Sequence, residues 1–358
     1  MSFMEPIFLQ TPVRPEISLL GILGYALFAF AFVLIFTPWF VSFLRRNRIG
    51  KQLRVETIDG REPTIFRTYH QNKHGTPTMG GVIIWGSIVC TVLLSRILAY
   101  FGLIEHSLLQ RGQVYLPLAI LLSLGVLGAV DDILNIRGVG SRRGLNTMPK
   151  MVFLLCIALV GAVWFYSKLG YDSIHIPLYG PVSVGFWYIP IFMFILVGTA
   201  NAVNFTDGLD GLAGGLLMMA FGAFGIFAYA ENLMVLAAFN AVCVGAIAAF
   251  LWHNVPPALF FMGDTGSLAL GGTLAVMAMM IDQALVLPIV GFVFVLEMLS
   301  VIVQLTSKRL RGGKKLLLAA PLHHHFEALG WGESKVTMRL WIVGLFFGFL
   351  GIIVGLLG

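Results

Sequence analysis

Charge is scarce in this chain. Asp, Glu, Lys and Arg make up 11% of its 358 residues, against about 25% in an ordinary soluble domain. So few charges could not cover the surface of a soluble fold of this size. Cysteine is scarce too. Cys90, Cys156 and Cys243 each lie inside an apolar run, which excludes a disulfide-stapled secreted domain and suits small core residues. There is no low-complexity tract, no obvious internal repeat and no HExxH pattern, so a zinc hydrolase is not expected. Disorder is excluded by the opposite property: 58% of the residues are hydrophobic, and disorder needs low hydrophobicity. The mean hydropathy is +0.90. What remains is an all-α polytopic membrane protein, read as one integral membrane domain over residues 1–358.

A bilayer core of roughly 30 Å takes about 20 apolar residues per helix. Apolarity predicts ten spans, at 18–43, 79–103, 115–133, 150–168, 186–202, 208–230, 234–252, 262–281, 284–306 and 338–357. Met1 to Ile17 lacks the basic start of a signal peptide, because Arg14 is outweighed by Glu5 and Glu16. The first span is also too long for a signal core, so no cleavage is expected. Lys and Arg set the orientation. Segments 44–78, 134–150 and 307–339 hold nineteen of the 23 basic residues, and ten-span threading puts all three on one side. That side is expected to be cytoplasmic. The net charge of +6 is then a basic face suited to anionic lipid and anionic soluble substrates. Nothing in the sequence points to nucleic acid.

Five polar clusters interrupt the apolar pattern. Lys73-His-Gly-Thr-Pro-Thr78-Met-Gly-Gly81 leads into the second span; its Pro and Gly could shape the helix start, or its Lys could hold a phosphate. Asp131-Asp132 ends the third span, where the helix dipole disfavours anions. A cation would relieve that cost, and Mg²⁺ favours carboxylates together with substrate phosphates. Asn201 to Gly211, with Asn204, Asp207 and Asp210, lies between the fifth and sixth spans; it resembles a calcium loop in composition but lacks the EF-hand spacing. Asn254 and Phe261-Met-Gly-Asp264-Thr-Gly-Ser267 lead into the eighth span, where a helix start offers N–H groups to a phosphate. Pro321-Leu-His323-His324-His325-Phe-Glu327 fills the last basic segment. Three adjacent His on a helix point about 100° apart and cannot share one metal, so donors to phosphate oxygens fit better. Glu297, inside the ninth span, is functional or a structural partner of a neighbouring helix. All five clusters fall on the basic side. That favours an enzyme at the membrane surface over an ion-coupled transporter, whose site would lie near the midplane.

The ordered set Thr-Pro-Thr-Met-Gly-Gly (76–81), Asp131-Asp132, Asn-x-Thr-Asp-Gly-Leu-Asp-Gly (204–211), Phe-Met-Gly-Asp-x-Gly-Ser (261–267) and Pro-x-His-His-His-x-Glu (321–327) closely resembles the phospho-N-acetylmuramoyl-pentapeptide transferase family. Glu297 with Gln304, and Arg339-x-Trp341, extend it. The Asp motifs are shared with the wider polyprenyl-phosphate sugar-1-phosphate transferases. The three-His form points to the muramoyl branch.

The resemblance implies ten helices of the bacterial inner membrane, a cytoplasmic active site, Mg²⁺, and frequent homodimers. It implies transfer of phospho-MurNAc-pentapeptide from UDP-MurNAc-pentapeptide to undecaprenyl phosphate, giving lipid I and UMP in the first membrane step of peptidoglycan synthesis. By the same resemblance Asp264 is the metal ligand, and Asp131, Asp132, Asp207 and His324 stand with it as catalytic residues. Lys73, Thr78, Asn204, Asn254, Gln304, His323 and His325 are implied substrate contacts, and Asp210 with Phe261 the uridine pocket. One departure is Asn135, where the family commonly has Lys; Arg137 is the expected substitute. The alternative activity is transfer of GlcNAc-1-phosphate from UDP-GlcNAc.

Overall fold

The computed structural model describes residues 17–50, 75–109, 112–138, 144–145 and 147–357. It is a helical bundle. Helices α1 (Leu19–Arg46), α2 (Gly81–Tyr100), α3 (Tyr115–Ile136) and α4 (Thr147–Lys168) lead to a hairpin of β1 (Ser173–Ile176) and β2 (Gly180–Ser183). Then come α5 (Tyr188–Thr206), α6 (Leu212–Ala230), α7 (Met234–Asn254), α8 (Asp264–Met280), a short α9 (Leu287–Val290), α10 (Phe292–Leu310), a short α11 (Leu322–Ala328) and α12 (Glu333–Leu356). Eight of the helices are long and apolar enough to cross a membrane, counting α5 with the 3₁₀ turn before it.

The outermost helix, α1, is buried over 17% of its most apolar window, while that of α7 is 78% buried. Helix α8 is more enclosed still: every residue from Thr265 to Met280 is buried. It is wrapped by α3 and α5, with α2 and α6 also in contact. Small residues make this possible, because they let helix backbones approach closely. At Gly128 of α3 a Cβ would stand 2.1 Å from the Asp264 carbonyl oxygen, and at Gly271 of α8 it would stand 2.9 Å from Ala200 Cα. The central helix therefore begins hard against the end of α3, which puts Asp264 beside the Asp131-Asp132 pair.

Each predicted span coincides with one helix, except the ninth. It is broken at Gly291 into α9 and α10, and a break inside a continuous apolar run leaves no polar signature. The hairpin was not predicted either. It is antiparallel, with Ser173 paired to Ser183, and His175 N donates to Asp282 Oδ1 at 3.3 Å. The His segment forms a helix of seven residues.

Candidate functional site

The two carboxylates that end α3 part company. Asp131 Oδ1 accepts from Leu145 N at 2.6 Å, and its Oδ2 lies 3.5 Å from Lys150 Nζ. Lys150 also donates to Asp264 Oδ2. On the other side of Asp264, Oδ1 accepts from Asn204 Nδ2 at 2.8 Å, and the same amide donates to Ser267 Oγ at 2.9 Å. One ammonium thus sits between two carboxylates supplied by α3 and α8. Asn204, on the last turn of α5, holds the second of them. A cation there offsets the repulsion that two nearly buried anions would otherwise feel.

Asp132 turns the other way. Its Oδ2 accepts from Thr265 N at 3.0 Å and Thr265 Oγ1 at 2.6 Å, and its Oδ1 from Asp264 N at 3.3 Å. An anion at a helix start is well placed. The dipole cost of Asp132 at the end of α3 is therefore offset by the start of α8. This also corrects the expectation that this helix start offers its N–H groups to a phosphate. Asp132 takes the first two, and the Gly263 carbonyl accepts from Gly266 N and Ser267 N at 3.1 and 3.0 Å.

Gly263 precedes α8 with φ +73, a conformation that L side chains rarely adopt. A Cβ there would stand 2.5 Å from Asp132 Oδ2 and 2.9 Å from Thr78 Oγ1. The first motif is stitched to the fourth along its backbone: Phe261 N donates to the Pro77 carbonyl, Gly80 N to that of Phe261, and Gly81 N to that of Met262, each at 2.8 Å. Thr78 is buried at this seam. Lys73 lies outside the described residues.

The third motif closes through its backbone. Asp207 ends α5, donating to the Val203 carbonyl. Asp210 Oδ2 accepts from Ala258 N at 3.0 Å. Asn254 Oδ1 accepts from Gly211 N at 3.0 Å, and its Nδ2 donates to the Phe260 carbonyl at 2.8 Å. Asp210 and Asn254, implied substrate contacts, are here the ties between the Asp210 turn and the segment that carries Phe261. Gln304 is a tie as well: its Oε1 accepts from Leu316 N and Leu317 N at 3.0 Å, and its Nε2 donates to the Leu317 carbonyl at 2.8 Å.

The three histidines leave α11 in three directions, as successive helical residues must. His323 is fully buried beside fully buried Glu297, with Nδ1 3.1 Å from Oε2. Its backbone N also donates to Glu297, at 3.2 Å to Oε1. Among the described residues His323 Nε2 is buried without a hydrogen-bond partner, and it abuts Gly208, where a Cβ would stand 2.2 Å away. Glu297 is thus a structural partner that docks α11 onto the Asp207-Gly208 turn. His324 Nδ1 pairs with Glu327 Oε2 at 2.7 Å, and His325 Nδ1 accepts from Leu318 N at 3.2 Å.

All five motifs therefore touch one another at one end of the bundle. Sequence reasoning missed Lys150, which looked like one more orienting cation. Arg137, the expected substitute for a cation at Asn135, caps α3 and is exposed, whereas Lys150 reaches both Asp131 and Asp264. Among the described residues no three His, Cys, Asp or Glu side chains stand as a ready metal cage. Mg²⁺ does not require one, since it takes one or two carboxylates and completes its shell with water and substrate phosphates. Asp131 and Asp264, hard oxygen donors that already share a cation, fit that donor set.

A family model described as Glycosyl transferase family 4 matches residues 114–282, and one described as Phospho-N-acetylmuramoyl-pentapeptide-transferase signature 1 matches residues 73–84. A phospho-N-acetylmuramoyl-pentapeptide-transferase of Chloroflexus aurantiacus is 42% identical over 342 residues, 92% of this chain and 88% of the relative. Proteins of the same name from Halalkalibacterium halodurans and Oceanobacillus iheyensis are 40% and 39% identical, over 90% and 94% of this chain and 94% and 98% of their own lengths. With relatives this similar along nearly its whole length, and with the five motifs gathered at one site, the chain belongs to the phospho-N-acetylmuramoyl-pentapeptide transferase family.

Proposed function

We propose that this chain transfers phospho-MurNAc-pentapeptide from UDP-MurNAc-pentapeptide to undecaprenyl phosphate, giving lipid I and UMP at the cytoplasmic face of the bacterial inner membrane. The observation that carries the reading is the Asp131–Lys150–Asp264–Asn204 cluster at the mouth of a membrane bundle. In the reaction a lipid phosphate oxygen attacks the sugar-linked phosphorus of the donor. The bond from that phosphorus to the bridging oxygen breaks, and UMP leaves. Both substrates are anions, so the barrier lies in charge repulsion and positioning.

Asp264 and Asp131 would hold Mg²⁺, which when bound supplies charge neutralisation on the diphosphate. Lys150 keeps the two carboxylates together and adds positive charge where negative charge develops. Asn204 orients Asp264, and Asp132 fixes the backbone that carries it. His324, partly exposed and oriented by Glu327, would donate to a phosphate oxygen, and Lys73 is assigned the same role on the resemblance. Phe261 offers an aromatic face to the uracil ring. The polyprenyl tail remains in the bilayer and reaches the site between helices. Ten crossings follow if α8 and α9–α10 also span; α8, at 17 residues, is short but enclosed by protein. A homodimer is proposed on the resemblance alone.

Donor choice tests the reading. With undecaprenyl phosphate, the purified chain is expected to consume UDP-MurNAc-pentapeptide and to leave UDP-GlcNAc untouched. The reverse preference would assign it to the GlcNAc-1-phosphate branch.

A further inference from the structure

Helix α12 carries Glu333, Thr337 and Trp341 four residues apart, which stacks them on one helix face. All three reach the backbone of one turn. Asp210 N donates to Glu333 Oε1 at 2.7 Å. Thr337 Oγ1 donates to the Asp210 carbonyl at 3.4 Å, and Trp341 Nε1 to the Gly211 carbonyl at 3.2 Å. The indole also fills the space above the first turn of α6: a Cβ at Gly215 would stand 2.2 Å from it. Gly211 itself has φ +76, a conformation that glycine adopts readily and most other residues resist.

The turn passes that restraint on. Through Asp210 Oδ2 and Ala258 N, through Gly211 N and Asn254 Oδ1, and through Asn254 Nδ2 and the Phe260 carbonyl, it fixes the segment that ends at Phe261. Docking α12 against α6 does not require polar contacts, since apolar packing such as Leu216 against Gly344 serves that purpose. Three hydrogen bonds aimed at one turn serve its geometry instead.

We propose that Glu333, Thr337 and Trp341 are positioning residues for the donor nucleotide: they set the Asp210–Gly211 turn, and through it the face that Phe261 presents to the uracil ring. The inference rests on the uridine-nucleotide reading above. It makes the last helix a determinant of nucleotide affinity rather than of phosphoryl transfer.

The test uses the full-length chain in detergent and compares T337V, which removes the hydroxyl while keeping the shape, with T337S, which restores it. UMP binding is titrated directly, and steady-state constants are measured for both substrates. T337V is expected to weaken UMP binding and raise the donor KM about fivefold, the worth of one net hydrogen bond. The kcat and the KM for undecaprenyl phosphate stay within about twofold, and T337S returns both nucleotide constants to the wild-type range. W341F, which loses the donor and part of the indole packed over Gly215, should weaken UMP binding at least as much as T337V. A fall in kcat with donor KM and UMP affinity unchanged would overturn the proposal, as would equal behaviour of T337V and T337S. Wild-type chain that binds UMP yet ignores UDP-MurNAc-pentapeptide would refute the assigned donor while leaving the UMP titrations to decide this inference. Wild-type chain that does not bind UMP would overturn both.

Discussion

Lys150 in the first turn of α4 donates to Asp264, the first residue of α8, and lies 3.5 Å from Asp131 as well. Its own side chain is 17% exposed, so its charge is poorly screened by water. Lys150→Gln leaves the two carboxylates facing each other without their shared cation. The kcat is expected to fall about a hundredfold, on the scale of losing one group that stabilises developing charge, in protein that still inserts and elutes as wild type. Near-normal turnover would remove Lys150 from the chemistry.

Asp264 has both oxygens engaged, one by Asn204 and one by Lys150. Asp264→Asn keeps the size, but turns an amide toward either Lys150 or Asn204 and removes the carboxylate proposed to hold the metal. Activity is expected to vanish at ordinary Mg²⁺ while the fold and membrane insertion persist. A mutant that works at unchanged Mg²⁺ would sink its assignment as the ligand.

Gly208→Ala drives a methyl group into the ring of His323, which buried Glu297 prevents from moving. Overpacking of this kind costs about 1–3 kcal/mol, so Tm should drop and activity with it. Gly198→Ala in α5 is the control: a Cβ there meets nothing within 4 Å, and Ala in a helix gains about 0.5–1 kcal/mol over Gly. Thermal melts of the two variants should therefore move apart. Equal melts would mean that the His323–Gly208 contact is slack.

Asp131 already holds Leu145 N and faces Lys150, which suits a positional part better than that of an obligatory base. The lipid phosphate has a second pKa near about 6, like other phosphate monoesters, and is mostly a dianion at neutral pH. Asp131→Asn should slow the reaction yet keep the acid limb of the kcat/KM profile. Loss of that limb, with the residual rate rising with hydroxide, would make Asp131 the base.

Orientation is open to labelling. Cysteine introduced at His324 and at Asp207, after replacement of exposed Cys90 and Cys156, should react with an impermeant reagent only from the cytoplasmic side. Reaction at either position in intact cells would invert the threading.

Much of the fold was legible because membrane helices announce themselves by apolar length alone. The break at Gly291 was hidden inside such a run, and the hairpin at 173–183 has strands of four residues, too short to show a period. In the site, the motif clusters were legible as polar residues where the pattern forbids them. What each side chain does was not. That Asp132 also caps the start of α8 could not be read from its place at the end of α3. That the amides of Gln304 and Asn254 also tie backbone segments together had no sequence signature. Lys150 was indistinguishable from the cations that orient the chain, because its partner Asp264 lies 114 residues away.

The most direct test of the central claim is product analysis with radiolabelled UDP-MurNAc-pentapeptide, undecaprenyl phosphate and Mg²⁺, using wild type and the Asp264→Asn variant side by side. For wild type, label should pass into the lipid phase with one UMP released per labelled lipid, and for the variant neither should appear. Label that stays with the nucleotide in wild type, or lipid-linked product formed with release of UDP in place of UMP, would contradict it.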